Sequence, residues 1–211
     1  MAKSGDILTN LSGEQLRFVH TSADTGGEYL EMEVTYVPHS DKPPAHYHPY
    51  QEEYFTVLAG EFLAGIGGEE HTFAAGDTFT VPAGATHWMQ NVSDEEGRLN
   101  WQVRPALDTE SFFETMWTLA IANESYYDDD DEYDDDEYDD EEYEYEAGDE
   151  DEVSRLDLLQ LSLTLREFNR EFRLAKPPYA VQRIVFGALA MLARRRGYRA
   201  RHTPDEVYEI E

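Results

Sequence analysis

The chain has 211 residues, no cysteine and a formal net charge of −30 at pH 7. That length suits one domain with appendages, long enough to bury a core without staples. The missing cysteines exclude thiol nucleophiles, cysteine–zinc sites and disulfides. An acidic excess of this size repels nucleic-acid phosphates, which excludes nucleic acid as a partner.

Residues 1–10 lack the charged-then-apolar pattern of a signal peptide. The best apolar run, Ile184 to Ala193, is too short to span a bilayer. A cytoplasmic protein without a transmembrane segment is expected. From about Leu16 to Arg104 the chain is a series of short apolar or alternating runs cut by Gly, Pro and Asp. Alternation is clear at residues 29–36, at Thr78-Phe79-Thr80-Val81 and at residues 99–103. Turn signals stand at Gly26-Gly27, Pro43-Pro44, Gly67-Gly68, Gly76-Asp77 and Pro82-Ala83-Gly84. Short strands at this spacing predict an all-β sandwich or barrel over residues 1–107.

A helix packed on that barrel is predicted over 108–123. Asp108 or Thr109 would serve as N-cap, and Phe112, Phe113, Met116, Leu119 and Ala120 repeat at helical spacing. Residues 124–152 hold 20 acidic side chains and no basic one, punctuated by tyrosines. Self-repulsion and the lack of aliphatic residues predict a disordered linker there. Residues 153–211 form a helical tail in this reading. One helix is predicted from Val153 to Leu174, broken by Pro177-Pro178, and a second from Tyr179 to Arg196, stopped at Gly197. The tail carries 11 basic side chains against 7 acidic ones. A helical hairpin docked on the barrel or on a second copy fits best. The basic and apolar mixture is also compatible with peripheral contact at a membrane surface.

Two stretches carry the chemistry. The first contains His46-x-His48, then the adjacent carboxylates Glu52 and Glu53, then Gly60. The second is Gly76-x5-Pro82-x-Gly84-x2-His87-x3-Asn91. Residues two apart in a strand share a face, so His46 and His48 can both point inward. Glu53 stands at an odd offset from His48 and joins them only if Pro49-Tyr50 breaks the strand. Three imidazoles and a carboxylate suit one divalent transition metal ion, Fe, Mn, Ni, Co or Zn. A lone His-x-His is a weak signal, but Gly-Pro-Gly at fixed positions is roughly a 1-in-4,000 coincidence at background frequencies.

Both stretches resemble the two signature motifs of the cupin family. Gly76, Pro82, Gly84, His87 and Asn91 match the second at every fixed position. In the first, the rule Glu-x6-Gly selects Glu53 because Gly60 closes it, and the one departure is Ser40 where the motif opens on glycine. The resemblance covers roughly residues 30–104. It implies a jelly-roll β-barrel with the metal inside, held by His46, His48, Glu53 and His87, and commonly a homodimer. The wider layout, ending in Arg195-Arg196-Gly197-Tyr198, is similar to uncharacterised bacterial cupin-domain proteins with a helical C-terminal tail. The expected role is a mononuclear metal-dependent dioxygenase of a small organic substrate, with Glu53 also able to accept a proton. Isomerase or lyase chemistry, or a non-catalytic module in which metal binds a ligand or braces the barrel, stands as the alternative. Tyr54, Phe55, Phe62, Phe79, Trp88 and Trp101 offer aromatic surface inside such a barrel, most of it expected to be packing. Met89 shares the parity of His87 and is expected to face the cavity rather than Trp88.

Overall fold

The alternation at residues 29–36 is realised as a strand whose Leu30, Met32 and Val34 are buried while their neighbours are not. The same logic, repeated in short antiparallel strands, builds two facing sheets. One has the spatial order β1 (Ile7–Thr9), β2 (Gln15–His20), β3 (Leu30–Tyr36), β10 (Gly97–Arg104), β5 (Glu52–Ala59), β8 (Thr78–Val81). The other runs β11 (Arg173–Leu174), β4 (His46–Tyr47), β9 (His87–Asn91), β6 (Glu61–Ile66), β7 (Glu69–Ala74). The helices are the single turn α1 (Ser22–Thr25), then α2 (Thr109–Asp128), α3 (Glu150–Glu167) and α4 (Tyr179–Arg195). The structure is a computed structural model that describes residues 2–10, 12–128 and 150–204. The architecture is the expected all-β jelly roll with a C-terminal helical extension.

Two cores hold it together. Between the sheets lie Phe55, Val57, Phe62, Ala64, Val81 and Leu99. A second core gathers Leu16, Phe18, Leu30 and Met32, and is closed by Phe112 and Phe113 of α2 and by Phe168. Fully burying each phenylalanine is worth about 1.5–3 kcal/mol, which fixes α2 to the barrel far more firmly than propensity would. Helices α3 and α4 pack on each other through Leu159, Leu163, Ala190 and Ala193.

Three boundaries differ from those expected. Helix α2 continues to Asp128 rather than ending near residue 122, and α3 opens at Glu150 rather than Val153. No Gly or Pro lies between residues 109 and 128 to stop the first. The remainder of the predicted linker, 129–149, lies outside the described residues. The third difference matters for function. The helix predicted to reach Leu174 stops at Glu167, and Arg173–Leu174 instead pair with Tyr47 and His46 as strand β11. Burial of Phe168 and docking of Phe172 against the barrel override helical propensity there. No helix among the described residues is long and apolar enough to cross a membrane.

Candidate metal centre

His46 and His87 face each other as a register pair of β4 and β9. His48 follows one residue beyond β4, after which Pro49-Tyr50 turn the chain out of this sheet and into β5 of the opposite one. That crossing resolves the odd offset. Glu53 approaches from the facing sheet, is 0% exposed, and shares the inward parity of Phe55 and Val57. Glu52 points the other way, to the Tyr54 hydroxyl. The Pro82-Ala83-Gly84 turn aims β9. Gly84 takes the left-handed φ of 79° that favours glycine, and its N–H donates to the His48 carbonyl at 2.8 Å. Gly60 has φ 80° and approaches Gly97 so closely that a Cβ would lie 2.8 Å from its Cα.

One potential ligand nitrogen from each of His46, His48 and His87 lies within 4.8 Å of the others, so these three can hold a metal ion. Their hydrogen bonds decide which nitrogen is offered. His46 Nδ1 donates to Pro44 O at 2.9 Å, His87 Nδ1 to Ala85 O at 3.1 Å, and His48 Nδ1 to Glu171 O at 2.5 Å. A carbonyl only accepts, so each Nδ1 carries the proton and each neutral ring presents the lone pair of Nε2.

Glu53 stands against two of these nitrogens. Its Oε1 lies 3.2 Å from His48 Nε2 and accepts from Trp101 Nε1 at 3.0 Å, while Oε2 lies 2.9 Å from His87 Nε2. His48 Nε2 and Glu53 Oε2 are nevertheless buried without a hydrogen bond of acceptable geometry. A buried imidazole nitrogen and a buried carboxylate oxygen left without partners are costly unless another group, such as a cation, satisfies them. The donor set therefore fits a divalent metal of borderline character.

The electrostatics agree. Burial, followed by the charges of His87 and His48, pushes His46 down to about 3. Burial likewise holds His48 below its usual value, although Glu53 works against it. Burial alone would raise Glu53, but the charge of His48 and the contacts with His87 and His46 outweigh it and keep the carboxyl low. His87 is held above its usual value because the Glu53 carboxylate overcomes the opposing effect of burial. Near neutral pH His46 and His48 are thus neutral and ready to ligate and the Glu53 carboxyl is ionised, while His87 takes up a second proton most readily of the three.

Beside the histidines opens a cavity of about 230 Å³. Val34 and Tyr36 of β3, Met89 and Trp101 form its barrel side, and Phe112, Phe113, Trp117 and Phe172 close it from outside. Glu14 and Asp41 also border it, and among the described residues no Lys or Arg does. Burial, with Glu14 and Glu53 nearby, pushes the Tyr36 phenol well above its usual range, so it stays protonated. Met89 faces the cavity, and Trp88 instead packs over Gly65 and beneath Lys42. Of the six aromatic residues singled out from the sequence, only Trp101 lines the cavity. Phe55, Phe62 and Phe79 pack within the barrel, and Tyr54 is exposed. The remaining four histidines lie elsewhere: His20 pairs with Glu31, His39 with Asp94 and His71 with Glu69, and the His202 backbone N–H donates to Thr115 Oγ1.

The residues that sequence reasoning missed come mostly from beyond the barrel. Glu171 and Phe172 sit in a segment read as helix, and no local signal sends them to the site. Ser40, the departure from the first motif, has a role of its own: its buried Oγ accepts from Asn91 N–H at 2.9 Å. Asn91, 0% exposed, in turn donates to the Val37 and Glu95 carbonyls.

A family model described as a cupin domain matches residues 32–103. Among curated relatives, protein SchB of Streptomyces halstedii is 30% identical over 93 residues, covering 44% of this chain and 67% of its own. Quercetin 2,3-dioxygenase of Bacillus subtilis (strain 168) is 33% identical over 86 residues, covering 40% of this chain and 25% of its own. The solved structure of KdgF from Halomonas sp. is 17% identical with a TM-score of 0.42, covering 49% of this chain and 90% of its own. The chain thus spans between a quarter and two thirds of the length of the curated relatives it matches.

Proposed function

Starting from the cupin family, to which this chain belongs, we propose that it holds one divalent transition metal ion through His46, His48, His87 and Glu53 and acts as a dioxygenase on a small organic substrate. The observation that carries the metal is the shared orientation of the three imidazoles, each tied by Nδ1–H to a carbonyl so that Nε2 is free to ligate. The ion would supply Lewis acidity and a place for dioxygen beside the substrate.

The chain's own residues set the substrate class. A cavity of about 230 Å³ falls below the roughly 300–1,000 Å³ of pockets for drug-sized ligands, which favours a single ring over a fused polycycle. Its aromatic lining and the absence of a lining cation favour a neutral ring bearing hydroxyl or carbonyl oxygens over a phosphate or a dicarboxylate. Tyr36, kept protonated, would donate a hydrogen bond to one such oxygen. Glu53, ionised and oriented by Trp101, would accept the proton of an acidic substrate hydroxyl. Phe112, Phe113, Trp117 and Phe172 would shield the site from water. The name of the Bacillus subtilis relative, quercetin 2,3-dioxygenase, supports the reaction class rather than the ring size.

Assembly as a homodimer is part of the same proposal. Ile184 and Met191 on α4 are 74% and 59% exposed, giving a second copy an apolar stripe to cover. Sedimentation velocity tests this, and a monomer at micromolar concentration removes it.

The main experiment is metal analysis of protein purified without added metal, followed by anaerobic loading with iron, manganese or nickel. Hydroxylated single-ring substrates are then screened for oxygen uptake and for ¹⁸O in the product. Near-stoichiometric metal and label from ¹⁸O₂ are expected. Product formed at the same rate under argon would replace oxygenase by lyase or isomerase chemistry.

A further inference from the structure

Beyond the acidic segment the chain comes back to the metal centre. Phe168, fully buried, packs edge-on against Phe112 of α2. The Glu171 carbonyl receives the His48 Nδ1 proton. Phe172 stacks on the His46 ring at 4.6 Å with 24° between planes, meets His48 edge-on at 6.0 Å, and stacks on Phe112 at 5.2 Å. Arg173 and Leu174 extend the sheet beside Tyr47 and His46, and Ala175 N–H donates to Ala45 O at 2.8 Å. Gln182 of α4, buried, holds the far end by donating to the Leu174 carbonyl at 2.7 Å.

We infer that residues 171–174 are a positioning and specificity element of the metal site: the Glu171 carbonyl sets the His48 tautomer, and Phe172 limits the size of what the cavity admits. This rests on the metal-site reading above. Two observations carry it independently. Each of the other two histidines finds its carbonyl within its own turn, two residues back, whereas the acceptor for His48 lies 123 residues further along the chain. And among the described residues Phe172 alone lines both the metal cavity and a larger groove of about 380 Å³ on the tail, bordered by Arg166, Arg173 and Arg183. Its ring is the partition between an apolar cavity and a basic surface. Removing it joins the two spaces.

The test uses the full chain in two arms. In the first, wild type, Phe172→Ala and Phe172→Leu are loaded with cobalt(II), and imidazole and 4-phenylimidazole are titrated against the visible spectrum. Wild type is expected to take imidazole and to discriminate against the phenyl derivative. Phe172→Ala should narrow that discrimination by at least roughly tenfold, with cobalt stoichiometry retained, and Phe172→Leu should restore most of it. Unchanged discrimination in Phe172→Ala overturns the role given to Phe172. In the second arm, ¹⁵N imidazole spectra of the metal-free wild-type protein read the tautomer directly. His48 protonated on Nδ1 and exchanging far more slowly than the exposed His71 is the expected result. His48 protonated on Nε2, or exchanging as fast as His71, overturns the role of Glu171. Failure of the wild type to bind cobalt would refute the metal reading alone, because the second arm needs no metal.

Discussion

Lowering the pH from 7.5 to 5.5 should expel the metal through one residue, His87. Ligation requires each imidazole to offer a lone pair, so protons bound to the metal-free site compete with the ion. His46, pushed down to about 3, is neutral across this range, and burial makes His48 take up a proton less readily than a free imidazole. Glu53 is lowered and remains ionised. His87 is raised, and takes up its proton above the usual imidazole range. Below the pKa of His87, affinity therefore falls by up to about one power of ten per pH unit. Calorimetric titration with zinc in buffers of different ionisation enthalpy should find close to one proton released per ion at pH 6. Glu53→Gln removes the carboxylate that raises His87, so the loss should begin at lower pH while affinity at pH 8 also drops. Release of two or more protons, or a flat profile, would refute this ordering of the three imidazoles.

The same shifts govern the metal-free fold, with opposite signs. His46 and His48 have folded pKa values below the unfolded one, so their contribution to stability is complete above about pH 6.5 and lost as pH falls below it. His46 alone accounts for roughly 1 kcal/mol of that loss at pH 5.5. Raised His87 works the other way, stabilising below the unfolded pKa and losing that as pH rises through its folded value. Two lowered groups against one raised group make acid destabilising on balance, which urea titrations at pH 7.5 and 5.5 would measure.

Other perturbations separate metal binding from folding. Replacing Glu53 and His87 together with alanine should abolish bound metal while the circular dichroism of the barrel persists; stoichiometric metal in that variant would remove the site. Ser40→Gly would restore the glycine of the first motif yet leave the buried Asn91 N–H without its acceptor, and should cost about 1–3 kcal/mol in urea unfolding. Gly65→Ala would place a Cβ 2.3 Å from Trp88 Nε1, and should lower stability by about 1–3 kcal/mol, read as a drop in Tm. Replacing residues 129–149 with a Gly/Ser segment of equal length should leave metal content unchanged, since none of the described site residues belongs to that stretch.

The strands and the grouping of the three histidines were legible because their signals are local. Period-two alternation marks β3, β8 and β10, and Gly84 with Pro82 marks the turn that delivers His87. Glu53 over Glu52 was legible from the spacing to Gly60, and the physical reason is that the crossing at Pro49-Tyr50 resets parity between the two sheets. The outer wall of the cavity was not legible. Phe168 and Phe172 are four residues apart, the spacing of one helix face, and Leu156, Leu159 and Leu163 precede them on that same period. What ends the helix at Glu167 is a tertiary gain, with one ring entering the second core and the other covering a histidine pair. No residue in the window announces it.

The origin of the three carbonyls follows the same division and bears on how much chemistry the motifs encode. Pro44 and Ala85 each stand two residues before the histidine they orient, so the stretches that supply His46 and His87 also supply their tautomers. His48 borrows its acceptor from Glu171, whose position depends on Phe168 in the core, on β11 pairing with β4, and on Gln182 holding Leu174. A neutral imidazole with Nδ1 unanchored can place its proton on Nε2, and its lone pair then sits on Nδ1, away from the metal site. The two motifs thus specify which atoms can ligate, while the protonation state of one of them is set by the tail. That arrangement makes metal affinity a report on whether residues 168–175 are docked, because loss of that docking frees His48 Nδ1 and also takes from His46 its stacking ring and its strand partner.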